Sequence, residues 1–270
     1  MKIHIYYRHT PVTRTTSRGR PSWFSHEICF ASLLDSLLAS EAPEDIFLTI
    51  VFDGTEADFA ADFIPGYLAR PDVEASPIGK NVRVVRITGG TQRRASSACL
   101  SLIKQDCVDR IRDEDDIIYS LENDYLHLPD WVAPVVALAQ SNVRWDYLSL
   151  YDHGDKYPEN CDYIDARRYH HLKSKIVVAG GHHWRTVPST CGTFLQRRSV
   201  FLRDFKFATL CLNDMYHFRI LTELMRRVLL TPVPGLSTHS MEQALSPGID
   251  WAKVAKDVAG RFSVEASSVD

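Results

Sequence analysis

The run Ile46-Phe47-Leu48-Thr49-Ile50-Val51-Phe52 is apolar almost without interruption and stops at Asp53-Gly54. Such a segment has no face to offer water, so it must be covered on both sides, as the central strands of parallel sheets are. Parallel neighbours cannot be joined by a tight turn; each needs a crossover, usually a helix. The flanking sequence supplies these crossovers. Ser25 to Ala39 carries apolar residues at Ile28, Phe30, Ala31, Leu33, Leu34, Leu37 and Leu38, a wide helical face. Thr91 to Arg112 repeats the pattern through Ala95, Ala98, Leu100, Leu102, Ile103, Val108 and Ile111, with Thr91 as its cap.

Around these helices stand three more β-rich runs: Lys2 to Arg8, Val82 to Thr88 closing on Gly89-Gly90, and Ile117 to Leu121. A further helical segment is expected near Glu56 to Leu68. Strand and helix therefore alternate through the first half, which predicts an α/β fold with a mostly parallel central sheet and helices on both faces. In such a sheet ligands bind outside the carboxyl ends of the strands. The polar residues that close the strands are thus the first candidates for a site: Arg8, Asp53, and the group after Leu121.

That last group is Glu122-Asn123-Asp124. Residues two apart on an extended segment face the same way, so both carboxylates can meet one hard divalent cation. The same triplet also reads as a turn capping a helix begun at Pro129, since Asn and Asp favour turns and caps. Between the first strand and first helix, Arg14 to Arg20 is a polar loop whose three arginines, Arg14, Arg18 and Arg20, suit either a diphosphate or solvent.

The second half is less regular. A helix is expected over Pro129 to Gln140 and strands over Tyr147 to Tyr151 and Arg185 to Leu195, with Gly192 where a backbone can approach a ligand. Asp152 to His183 lacks periodicity and reads as a substrate-facing loop, with the aromatic residues Tyr157 and Tyr163 in it and Tyr151 and Trp184 at its borders. Its His170-His171 and His182-His183 pairs diverge on an extended chain and repeat no Cys/His spacing, so zinc is not expected there. Asn213-Asp214 opens a helix with Phe218, Ile220, Leu221, Leu224, Met225 and Val228 as its apolar face, and Asp214 is a cap or a functional acid. Leu229 to Ser240 gives a short strand and a loop bearing His239.

At 270 residues with a net charge of −3, the chain has ample core and no general nucleic-acid affinity is expected. Its six cysteines form no C-x-x-C pair, and no apolar run reaches the ~18 residues of a membrane span. A reducing, cytoplasmic setting is expected, with peripheral membrane contact left open.

Taken together, these segments from Lys2 to His239 resemble glycosyltransferases of the GT-A fold, close to the family 2-like enzymes that use a nucleotide-sugar donor. The resemblance implies one Rossmann-like domain over 1–260, with a donor half at 1–128, an acceptor half at 129–260 and a polar tail at 261–270. It implies donor contacts at Tyr7, Arg8, Asp53, Arg93 and Asn123. It also implies a divalent metal, Mn or Mg, held by Asp124, Glu122 and the late His239; Glu122 departs from the first Asp of the D-x-D motif. Asp214 would be the base of an inverting enzyme, with Asn213 where an acid is usual. The resemblance further implies that Tyr151, Tyr157, Tyr163 and Trp184 stack on sugar faces. A glycan or lipid-linked saccharide in surface polysaccharide synthesis is the implied acceptor. Two rivals are a nucleotidyltransferase, which wants a glycine-rich, lysine-bearing loop where this chain has one Gly and no Lys, and a silent glycan-binding scaffold.

Overall fold

A computed structural model describes residues 1–11, 19–157, 173–210 and 214–262, with the side chains of 209–210 and 214–215 outside the description. Arg14, Arg18, Cys161, Tyr163, His170, His171, Cys211 and Asn213 therefore lie outside the described residues, as do 263–270 of the tail.

The first half builds the parallel core. Strands β1 (Ile3–His9), β2 (Ile46–Asp53), β3 (Val82–Ile87) and β4 (Ile117–Glu122) stand in the order β3-β2-β1-β4, all parallel. Alternation sorts their side chains. Ile3, Ile5 and Tyr7 of β1, Leu48, Ile50 and Phe52 of β2, and Tyr119 of β4 share one cluster with helix α1 (His26–Leu38). Tyr6, Val51 and Ile118 point the other way, into a second cluster beneath a long crossover helix. Ser25 caps α1 by accepting from the Ile28 N–H.

The segment expected as one helix over Glu56 to Leu68 is two, α2 (Glu56–Ala60) and α3 (Ile64–Leu68). The Pro-rich connection adds α4 (Pro71–Glu74) and α5 (Pro77–Lys80). The long crossover helix is α6 (Gln92–Asp109), capped by Thr91 as expected and ending short of Arg112.

After β4 the chain departs from the sequence reading. Residues expected to lead directly into a helix instead form β5 (Tyr125–His127), which pairs antiparallel with a late strand, β11 (Ser237–His239). Glu-Asn-Asp is thus a turn between strands rather than a helix cap. Helix α7 (Val132–Gln140) follows, then β6 (Tyr147–Leu148), β7 (Ile176–Ala179), β8 (His182–Thr186) and β9 (Phe194–Arg197). The strand expected over Arg185 to Leu195 is in fact the ends of β8 and β9 with irregular chain between. β7 and β8 form a hairpin whose Gly180 and Gly181 both have positive φ.

Helix α8 (Arg198–Leu210) precedes α9 (Asp214–Arg219), whose expected continuation to Val228 is a π-helical turn at Ile220–Leu224. β10 (Leu229–Val233) joins the sheet, and α10 (Trp251–Phe262) closes the described chain against α1. The full sheet has nine strands in the order β3-β2-β1-β4-β9-β6-β10-β8-β7. β9 runs antiparallel between β4 and β6, so the second half is mixed. No helix among the described residues is long and apolar enough to cross a membrane.

Candidate functional site

The chain reverses its direction of travel across the sheet beside β1. It runs β1, β2, β3 to one side and then returns to place β4 on the other. Such a switch point opens a crevice at the carboxyl ends of the strands. A cavity of about 350 Å³ lies there, lined by Arg8 and His9 of β1, Asp53 of β2, Gly90 after β3, and Glu122, Asn123 and Asp124 after β4. Arg20 and His26 complete its wall.

Two of its acids, Glu122 and Asp124, each have an arginine of their own. Arg8 pairs with Glu122, the residue beside it in the parallel register, and also donates to Ser96 Oγ at 2.7 Å. Asp124 accepts from Arg20 Nη2 at 2.8 Å, and His239 Nε2 lies 3.0 Å from the same oxygen, Oδ2. Glu122 and Asp124 both line this cavity, but each pairs with a different arginine. β4 ends at Glu122 and the chain turns at Asn123, so the two-residue alternation does not extend to Asp124. Burial alone would raise the Asp124 carboxyl. The hydrogen bond and charge of His239, followed by Arg20, overcome this and hold it well below the usual carboxylate range.

The second oxygen, Asp124 Oδ1, is buried with no hydrogen-bond partner among the described residues. An unpaired buried carboxylate oxygen is costly, and a cation or water would satisfy it. Among the described residues no group of three or more His, Cys, Asp and Glu side chains could hold a metal unaided. Asp124 and His239 could supply at most two side-chain ligands here, and a cation would need its others from outside the described residues. His239 is kept in place by stacking on Tyr125, ring centres 5.2 Å apart and planes within 17°.

Asp53 faces the loop after β3. Its carboxylate accepts from the Gly89 N–H at 2.7 Å and the Gly90 N–H at 3.2 Å. Gly90 has φ of +68°, a conformation suited to glycine, and a Cβ on Gly89 would come within 2.8 Å of Ala95. Asn123 is fixed at both ends: its side-chain nitrogen lies 3.1 Å from His9 Nδ1 and its carbonyl 3.0 Å from His26 Nδ1. His9 in turn reaches Asp62 Oδ2 at 3.0 Å.

The other expected residues fall elsewhere. Tyr7 is 1% exposed, packed on Phe30, and does not line the cavity; burial pushes its phenol well up. Arg93 lines a second, larger cavity on the α6 side. Asp214 begins α9, and its side chain lies outside the description. Tyr151 and Trp184 are buried, so neither presents a face to a sugar; Trp184 spends its indole N–H on the Ala179 carbonyl. Tyr157 lies under the Arg185 guanidinium, 4.5 Å from its ring centre. His182 and His183 sit on β8. Cys29, Cys99, Cys107 and Cys191 form no disulfide among the described residues.

Three residues that line these cavities lack a local sequence signal: His9, His26 and His217. Arg20 was one of three equal candidates in its loop, and only the fold shows that it reaches Asp124.

No protein-family model matches the sequence, and no curated protein matches it. Solved structures similar in layout include S. aureus TarS 1-349, at 12% identity and a TM-score of 0.49, covering 97% of this chain and 65% of that one. Mouse xyloside xylosyltransferase 1 is similar at 10% identity and a TM-score of 0.45, over 85% and 84% of the two chains. A 4-diphosphocytidyl-2C-methyl-D-erythritol synthase is similar at 11% identity and a TM-score of 0.45, over 96% and 98%. The chain thus spans less than two thirds of the TarS chain that it matches.

Proposed function

We propose that this chain is a glycosyltransferase that takes a sugar from a nucleotide-sugar donor and passes it to a hydroxyl of a glycan or lipid-linked saccharide. The observation that carries the reading is the cavity at the β1/β4 switch point, where Asp53 and Gly90 stand on one side and the Asp124–His239 pair on the other. In this reading the cavity takes a nucleoside diphosphate. Asp53, Gly90 and Asn123 offer hydrogen-bonding groups for a nucleoside, and the acids and arginines stand where a diphosphate would lie.

A divalent cation, Mn or Mg, held by Asp124 and His239 would neutralise the charge that gathers on the departing diphosphate. Arg8 and Arg20 add fixed positive charge at the same mouth, since guanidinium forks fit phosphate oxygens. Glu122, tied to Arg8, orients that guanidinium. Asp214 takes the proton from the acceptor hydroxyl as its oxygen attacks the anomeric carbon. The bond to the diphosphate oxygen breaks, and its electron pair leaves with the nucleoside diphosphate.

The test is thermal melting with a panel of nucleoside diphosphates and nucleotide sugars, each with and without Mn or Mg, because a ligand of the native state raises the midpoint. A metal-dependent rise with one nucleotide family is expected, lost in Asp124→Ala. If no nucleotide shifts a well-folded protein, the reading fails. Turnover at an ordinary rate by Asp214→Asn would move the base elsewhere or make the enzyme retaining.

A further inference from the structure

The larger cavity has a volume of about 630 Å³ and lies between β1, β4, α6 and the second-half helices. It shares Arg8, Gln92 and Glu122 with the switch-point cavity, so the two adjoin at the Arg8–Glu122 ion pair. From there its wall follows α6 from Gln92 to Ile103, about 16 Å along a helix that rises about 1.5 Å per residue. Its character changes along that length. At the shared end stand Arg8, Arg93, Ser96 and Glu122; beyond them are Cys99, Leu100 and Ile103, faced by Phe194 and Ala208. A charged mouth beside the donor site and an apolar far end ask for a ligand of matching polarity, and the volume suits a drug-sized molecule.

We propose that this cavity binds the acceptor, and that the acceptor is an amphiphile: a hydroxyl-bearing sugar head at the Arg8–Glu122 mouth with an alkyl or aryl group along α6. Its role as acceptor site rests on the transferase reading, whereas its preference for an amphiphile rests on its own walls. A further polar group supports a hydroxylated ligand. His217 is buried in the second-half wall and hydrogen-bonds the Phe207 carbonyl. Burial holds this imidazole below its ordinary range, so at neutral pH one nitrogen donates to that carbonyl and the other is an acceptor. Filling the cavity with a wholly apolar molecule would strip water from the Arg8–Glu122 pair without replacing its hydrogen bonds, and a bare sugar would leave the α6 end uncovered.

The experiment is calorimetric titration with n-octyl β-D-glucoside below its micellar concentration and with D-glucose, on wild type and on two variants that fill the apolar end from opposite walls, Leu100→Trp and Ala208→Phe. The octyl glycoside is expected to bind at least tenfold more tightly than glucose and to lose at least tenfold in each folded variant, while the melting shift given by nucleoside diphosphates stays as in wild type. Equal binding of the two probes, or full binding of the octyl glycoside by a folded filling variant, overturns the proposal. Should Leu100→Trp fail to fold, Ala208→Phe decides alone. Octyl-glycoside binding in a protein that no nucleotide stabilises would retain the amphiphile site and remove the transferase reading.

Discussion

The guanidinium of Arg20 rests on the carboxylate of Asp124, with Nη2 2.8 Å from Oδ2. It is held there by donating from Nη1 to the Ser240 carbonyl at 2.8 Å and by lying over the Phe24 ring, 4.5 Å from its centre. A cation arriving at Asp124 therefore meets a carboxylate that is already neutralised. In Arg20→Gln that charge is released, and Mn²⁺ should bind the nucleotide-free protein about tenfold more tightly, a change of about 1.4 kcal/mol. Titration calorimetry with MnCl₂ measures this directly. Unchanged or weaker Mn²⁺ binding in the variant would show that Arg20 does not compete for Asp124.

Asp53 links the apolar core of β2 to the glycine turn after β3, because its carboxylate receives the N–H groups of both Gly89 and Gly90. Asp53→Ala leaves the buried Gly89 N–H without its partner, at a cost of about 1–3 kcal/mol, whereas the N–H of exposed Gly90 can turn to water. The ligand-free melting midpoint should fall. The further rise given by a nucleoside diphosphate should shrink as well, since the turn that lines the donor cavity has lost its tether. A variant with a lowered midpoint but a wild-type ligand shift would make Asp53 a structural residue only.

The parallel half of the fold is legible because its signals are local. Ile46 to Phe52 is apolar on both faces, Ser25 and Thr91 cap their helices, and the alternation of side chains between the two clusters follows from the β period alone. The site is half legible for the same reason. Arg8, Asp53 and Asp124 close strands or follow them directly, so strand order alone carries them to one mouth. Pairings across long separations leave no such mark. β5 is three residues long and finds β11 more than a hundred residues later, and that pairing is what brings His239 to Asp124. That Glu122 pairs with Arg8 while Asp124 pairs with Arg20 and His239 depends likewise on contacts across the fold. Helix α10 is not among the expected elements: it buries Trp251, Ala255, Val258 and Phe262, and its last two residues, Arg261 and Phe262, fall in the stretch expected as a polar tail.

Burial depresses several imidazoles, and this fixes the sign of a pH effect. His26 and His217 are held below their ordinary range mainly by desolvation, and His127, fully enclosed, is pushed down to about 3. Each binds a proton more readily in the unfolded chain, where its pKa is about 6.5. Stability is therefore greatest above about pH 6.5 and declines as the pH falls below it, continuing toward the folded value for His127. The melting midpoint should drop between pH 7.5 and pH 5. His127→Gln should flatten that slope even if it lowers the midpoint throughout by losing the 2.8 Å bond between His127 Nε2 and the Tyr119 hydroxyl. An equally steep slope in the variant would assign the acid sensitivity to other groups.

Gly235 sits between β10 and β11, against Ser246. A Cβ added there would run into Ser246 Oγ and come within 3.2 Å of the Asp152 nitrogen. Ser246 cannot simply turn away, because its hydroxyl donates to the Asp152 carbonyl at 2.9 Å and accepts from the Asp152 N–H at 3.1 Å. Overpacking of this kind costs about 1–3 kcal/mol, and for a chain of this size each kcal/mol lowers the midpoint by about 2–4 °C. Gly235→Ala should therefore melt several degrees below wild type. Because β11 carries His239, it should also weaken Mn²⁺ binding at Asp124. Ser246→Ala removes the obstructing oxygen, so the double variant should lose less stability than the two single losses combined. Strict additivity would mean that the strain at Gly235 comes from the Asp152 backbone and not from Ser246.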